Sequence, residues 1–232
     1  MDYRANIGCR WRYGDFESIT MQKHFSLNDI LNFEPRYRAT FINSLGGFKS
    51  LALIGTANQI GQTNLAVFNS LFHLGANPPL FGFIVRPDSA ERHTLHNIIS
   101  TQEFSVNHVS ESFYKKAHQT SARYENQISE FDATALTEEY KKGFKAPFVK
   151  ESNLQIAAQF LRKVEVVENG TLLIIAKIKF VSVAENCIAT DGYVDIEKAG
   201  SITCVGLDSY HRTEKIARLA YAKPNVPLTE IT

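Results

Sequence analysis

The stretch 64-NLAVFNSLFHLGANPPLFGFIVRP-87 decides how the chain is read. It is too apolar for a surface loop. It also carries Asn64, Asn69, Ser70, His73 and Asn77, too many hydrogen-bonding side chains for an ordinary buried strand. Pro78 and Pro79 cannot donate to a sheet ladder, so they divide it into two strand-length runs, 65-LAVFN-69 and 80-LFGFIV-85. Immediately upstream, 50-SLALIGTAN-58 is another strand-length apolar run. The turn 59-QIGQTN-64, centred on Gly61, joins it to 65–69 as a hairpin.

The same pattern continues outward. Pro87-Asp88-Ser89 ends the third run, and 94-TLHNIISTQ-102 places Leu95, Ile98 and Ile99 at helical spacing. The alternation in 103-EFSVNHV-109 predicts a half-buried strand. Residues 111–150 read as a polar, helical or irregular insertion. Then 154-LQIAAQFLRKVEVV-167 and 171-TLLIIAKIKFVSVA-184 flank Asn169-Gly170, the strongest hairpin signal in the chain. A further strand is expected over 201–207, a brief helix over 211–221 and a proline-containing tail over 222–232. Near the start, Ser26 is placed to cap a short helix over 27–33, and a second short helix over 38–45 stops at Gly46-Gly47. Six or more strands in consecutive hairpins, with short helices and no GxGxxG after a strand, disfavour a doubly wound nucleotide fold. They predict a small antiparallel barrel with helical decorations.

Composition narrows the function classes. The 232 residues are 44% apolar and 21% charged, with 25 Lys plus Arg against 24 Asp plus Glu. That balance argues against a nucleic-acid binder. No apolar run approaches the ~18 residues that would suggest a membrane helix. Cys9, Cys187 and Cys204 are odd in number and widely spaced, which argues against a zinc knuckle or disulfide framework and for buried thiols in a reducing cytoplasm. No secretory pattern opens the chain. Residues 1–20 read as an extension or an upstream mis-start, and 21–232 as a single domain.

The chemical motifs are mostly absent. Ser44 and Ser70 lack a GxSxG setting. His24, His73, His93, His96, His108, His118 and His211 form no HExxH, so no metal site is expected. The cluster 92-RHTLHNI-98 is more informative. Arg92 offers a bidentate fork, Thr94 a hydroxyl, and a helix start adds free N–H groups, which together suit a phosphate. The plainer reading is that Thr94 caps the helix while Arg92 is solvated. The polar groups of 64–77 likewise either satisfy backbone at strand ends or face a planar heterocycle. A flavin ring, with N and O atoms along one edge and an apolar face, suits that mixture.

The order 55-GTANQIGQTNLAVFNSLFHLGANPPLFGFIVRP-87, 92-RHTLHNI-98, 104-FSVNHV-109 resembles the flavin reductase-like, FMN-binding split-barrel family, to which flavoredoxin belongs. The segments 117-AHQTSARY-124, 130-EFDATALT-137, 146-APFVKES-152, 191-DGYVDI-196 and 207-LDSYHR-212 extend the resemblance. It implies a mainly β, six-stranded antiparallel split barrel of Greek-key type with short helices. It also implies noncovalent FMN and a cytoplasmic homodimer with two sites near the subunit interface. By position, Thr56, Asn64, Asn69, Ser70 and Phe72 fall where the family lines the flavin, with the backbone around Ala57. Arg86, Arg92, Thr94 and Asn97 fall where it holds the phosphate. Tyr210, His211 and Arg212 lie on a segment that approaches the cofactor. Asn58 and Asn69 depart from the Asp and Ser that many relatives carry there. The implied activity is FMN-dependent NAD(P)H:flavin oxidoreduction, with free flavin, another small molecule or a protein as electron acceptor and no catalytic side chain. The alternative is an FMN-carrying electron-transfer module without turnover.

Overall fold

The structure is a computed structural model that describes residues 22–86, 93–125 and 127–231. The 1–20 segment and Arg92 therefore lie outside the described residues. The chain divides into two compact units, one ending at Phe41 and the other starting at Ile42. In the first, helix α1 (Leu27–Leu31) opens on a reciprocal cap. Ser26 Oγ accepts from the Asp29 N–H, and Asp29 accepts from the Ser26 N–H at 2.8 Å. Helix α2 (Pro35–Leu45) begins at a proline, whose missing N–H costs nothing in a first turn. Glu34 accepts from the Arg36 and Tyr37 N–H groups there. Phe25, Phe33, Tyr37 and Phe41 pack mainly edge to face in this unit.

The second unit is built on strands β1 (Lys49–Ser50), β2 (Ala52–Ala57), β3 (Thr63–Phe68), β4 (Phe72–Gly75) and β5 (Leu80–Val85). Helix α3 (His93–Thr101), strand β6 (Glu103–His108), helices α4 (Tyr114–Gln119) and α5 (Glu130–Thr134), and strands β7 (Glu138–Glu139) and β8 (Phe148–Val149) follow. The long strands β9 (Leu154–Val166) and β10 (Thr171–Val183) then precede β11 (Thr203–Val205) and β12 (Ser209–His211). The main sheet is antiparallel with order β3-β2-β6-β9-β10-β5-β4. It has seven strands where six were expected, because the backbone between Phe68 and Leu80 forms the extra short strand β4. Local hairpins supply β2–β3, β4–β5 and β9–β10. The other pairings join strands remote in sequence.

The sheet curls. Phe68 on β3 and Phe83 on β5 have ring centroids 5.1 Å apart. Five strand spacings of ~4.8 Å would separate them by about 24 Å if the sheet were flat. Phe83 also meets Phe104 on β6 at 5.7 Å. These rings, with Ile54, Val106, Ala158 and Ile174, fill the barrel, and α3 contributes Ile98. Register shifts in the β9–β10 ladder supply local bending. No ladder joins the edge strands β3 and β4, so the barrel has an open seam beside them.

Outside the barrel, Phe113 at the cap of α4, Phe131 on α5, Val149 on β8 and Cys204 on β11 pack with Leu51, Leu53 and Leu65 of the β2–β3 hairpin region. Residues 144–149 lie against Gly55 so closely that an added Cβ would sit 2.3 Å from the Pro147 carbonyl oxygen. A second, three-stranded sheet, β1-β11-β12, places Cys204 opposite both Lys49 and Tyr210. The predicted 201–207 strand is thus the first half of a hairpin. The helix expected over 211–221 does not form. That segment is extended and carries an isolated bridge from Leu219 to Glu230. No helix among the described residues is long and apolar enough to cross a membrane.

Candidate functional site

The open seam lies beside a cleft of about 1460 Å³. Its walls come from β3, the 69–71 corner, β5, the start of α3, residues 118–124 and the small β1-β11-β12 sheet. Curling of the main sheet brings these elements together.

Thr94 is the second described residue of α3 (His93–Thr101). Its Oγ accepts from Asn64 Nδ2 at 2.9 Å, and both side chains are buried at the cleft wall. Behind this pair, Asn97 Nδ2 donates to Thr56 Oγ at 3.2 Å, also buried. Ser70 closes the corner after β3. Its Oγ accepts from the Ile84 N–H at 3.0 Å and donates to the Ile84 carbonyl at 3.2 Å. Asn69 Nδ2 donates to the Gly206 carbonyl at 2.7 Å, tying that corner to the β11–β12 turn. Arg86, at the end of β5, donates to Asn43 Oδ1 at 3.3 Å.

Of the residues expected at a cofactor site, Asn64, Asn69, Ser70, Phe72, Arg86, Thr94 and Tyr210 line this one cleft. Thr56 and Asn97 stand behind it as a supporting pair, and Ala57 is buried in β2. His211 packs edge-on against Phe48 at 5.1 Å, and Arg212 is ion-paired with Glu111. Neither lines the cleft: on β12 His211 alternates to the face opposite Tyr210, and Arg212, just past the strand, is drawn to Glu111.

The structure adds residues that sequence reasoning did not single out. Lys49 and Cys204 enter through their register pairing. Burial pushes the Cys204 thiol up, partly offset by a hydrogen bond from Asn69 and the charge of Lys49. His118 and Arg123 line the cleft from the insertion, and His118 Nδ1 shares a 2.6 Å hydrogen bond with the Tyr210 hydroxyl. Burial raises the Tyr210 pKa, helped by Cys204 and Asp208. Glu130 also lines the cleft, and its Oε2 accepts from the Leu65 N–H of edge strand β3 at 2.9 Å. Its carboxyl is pushed up by burial, against that hydrogen bond and nearby His93. The basic and hydroxylic run 118-HQTSAR-123 was a visible signal for part of this wall. Glu130 and Lys49 had no local signal. Among the described residues, no cluster of His, Cys, Asp and Glu could hold a metal ion.

Comparisons with known proteins agree with this geometry. Residues 45–197 match the family model described as flavin reductase like domain. The split-barrel protein of Shewanella frigidimarina NCIMB 400 that is named as a flavin reductase is 48% identical. It aligns with 87% of this chain and all of its own, at a TM-score of 0.84. Flavoredoxin of Desulfovibrio vulgaris (Miyazaki F) shares the fold at 20% identity and a TM-score of 0.63, over 77% of this chain and 92% of its own. A curated protein of Aquifex aeolicus (strain VF5) is 29% identical over 120 residues, which are 51% of this chain and 61% of the length of that relative. The curled sheet, its open seam and the polar cleft define a split-barrel fold. The chain belongs to the flavin reductase like domain family.

Proposed function

We propose that the cleft binds FMN noncovalently and passes reducing equivalents from NAD(P)H to free flavin or another small-molecule or protein acceptor. The observation that carries this reading is Thr94. Its hydroxyl accepts from buried Asn64 Nδ2 at the cleft wall, beside the described start of α3. That polar pair suits a terminal phosphate. Arg86, which lines the same cleft, supplies charge, and the resemblance assigns Arg92, which lies outside the described residues, to the same role. Asn69, Phe72 and Tyr210 line the part of the cleft that would take the ring, with Ser70 holding the corner. Thr56 and Asn97 keep α3 on β2, and the Ala57 backbone adds polar groups at the end of that strand. His211 and Arg212 make their contacts outside the cleft, with Phe48 and Glu111, and take no direct part in this reading.

FMN, when bound, supplies the hydride and electron chemistry. The chain's own residues anchor it, orient it and keep bulk water from one face. The cleft exceeds the ~300–1000 Å³ usual for one small ligand, which leaves room for a nicotinamide or acceptor beside the flavin. The reading includes self-association as a homodimer and a cytoplasmic setting, supported by the free thiols Cys187 and Cys204.

The test is Thr94→Val, titrated with FMN and with riboflavin. A charge-assisted contact is worth about 1.5–3 kcal/mol, so FMN should weaken at least about tenfold, and riboflavin far less. Equal loss for both flavins would place the phosphate elsewhere. Rapid bleaching of bound flavin by NADH or NADPH separates an enzyme from a module that only relays electrons.

A further inference from the structure

Residues 212–231 form an arm that contains no buried residue. It is not loose. Lys215 Nζ pairs with Asp195 at 2.8 Å, and the Lys215 N–H donates to Glu197. Arg218 pairs with Asp191 at 2.5 Å, and its guanidinium lies 4.1 Å from the Tyr193 ring centroid. Beyond this root the chain turns back on itself. The Ala220 N–H donates to the Thr229 carbonyl at 2.9 Å, and the Ile231 N–H to the Arg218 carbonyl at 2.8 Å.

The arm therefore ends in a small two-stranded turn held out from the barrel, and such a turn is marginal in water without an apolar cover. Exposed ion pairs at its root contribute little. Yet it exposes Ile216 (92%), Leu219, Tyr221 (90%), Val226, Leu228 and Ile231. Taking about 150–200 Å² for a fully exposed side chain of this size, these exposures sum to roughly 600–800 Å² per arm. A stable dimer needs about 800 Å² from each partner. Under two-fold symmetry each protomer contributes one arm and the surface that receives the other, so two arms exceed that requirement. The arm also lies beyond the family-matched residues 45–197.

We propose that the 212–231 arm is the pairing element of this chain and that its occupant is a second copy of the same chain, each protomer's arm covering its apolar residues on the other. This rests on the homodimer reading above and assigns it a surface.

The test is sedimentation velocity of the full chain at micromolar concentration, beside the triple variant Ile216→Ser, Tyr221→Ser, Leu228→Ser. The wild type should sediment at twice 26.1 kDa, and the variant at half that mass with an unchanged far-ultraviolet circular dichroism spectrum. Hydrogen exchange of the wild type should show protection at 219–231 that rises with protein concentration. A monomeric wild type overturns the homodimer reading, leaving another protein or surface to cover the arm. A dimer that persists in the variant, or arm protection independent of concentration, overturns the arm proposal alone.

Discussion

Asn107→Leu should loosen the attachment of the insertion that walls the cleft. Asn107 lies on β6 and is fully buried. Its Nδ2 donates to the Leu53 carbonyl at 3.1 Å and to Ser105 Oγ at 2.9 Å, and its Oδ1 accepts from the Val149 N–H at 3.0 Å. One amide thus joins β2, β6 and β8. Leucine keeps the approximate volume but removes all three bonds. Val149 is itself fully buried, so its N–H loses its acceptor where water cannot replace it, at a cost of about 1–3 kcal/mol. The other two bonds add about 0.5–1.5 kcal/mol each. A loss of roughly 2–6 kcal/mol is expected, a large part of the 5–15 kcal/mol typical of a domain. Urea unfolding should show a lower midpoint with little change in slope. Hydrogen exchange should show faster exchange near Val149. The same insertion carries His118, Arg123 and Glu130 to the cleft, so flavin affinity should fall as well. A stability change below about 1 kcal/mol would refute the claim that this amide is irreplaceable.

Three further outcomes follow from particular contacts. Gly55→Ala would place a Cβ 2.3 Å from the Pro147 carbonyl and 2.6 Å from Ser105 Oγ. It should cost about 1–3 kcal/mol or more by thermal unfolding, and wild-type stability would show that the 144–149 segment yields freely. Ser70→Ala leaves the Ile84 N–H without its 3.0 Å acceptor and should lower stability by about 1–3 kcal/mol, measured by urea denaturation. Burial lowers the His108 pKa to about 4, so the unfolded chain takes up a proton there before the native one does. The resulting stabilisation is full above the unfolded pKa of about 6.5 and is lost as pH falls toward 4. It is on the order of 3 kcal/mol at ~1.4 kcal/mol per pKa unit. His108→Gln should flatten the stability profile between those pH values relative to wild type, and parallel profiles would exclude this origin.

The legible parts of the fold were those written in short-range chemistry. Ser26 and Asp29 cap α1 within one turn. Gly61 and Asn169-Gly170 turn hairpins whose strands lie next to them in sequence. Pro78-Pro79 mark the break after which β5 begins. The helix expected over 211–221 failed because its good helix formers also carry Lys215 and Arg218. Those side chains reach Asp195, Asp191 and Tyr193 in a loop remote in sequence, and such contacts outweigh a propensity worth tenths of a kcal/mol per residue. The seventh strand was missed because β4 is only four residues long and is defined by its ladder to β5.

The order of hydrophobic and turn residues along the chain was enough to specify a β-rich barrel and a short helix from about Thr94. The curl of the sheet was not in that order. It depends on Phe68, Phe83 and Phe104 meeting across strands that are distant in the sheet, and on bulges that bend β9 against β10. That curl gathers Thr94, Asn64, Arg86 and Tyr210 into one cleft. It sets Thr56 and Asn97 behind the wall and turns His211 and Arg212 away. It also brings in Lys49, His118 and Glu130 from three separate parts of the chain. Pairing along a strand is local and periodic, so a sequence displays it. Closure of a sheet is a sum over contacts between remote side chains, so only the folded chain reveals it.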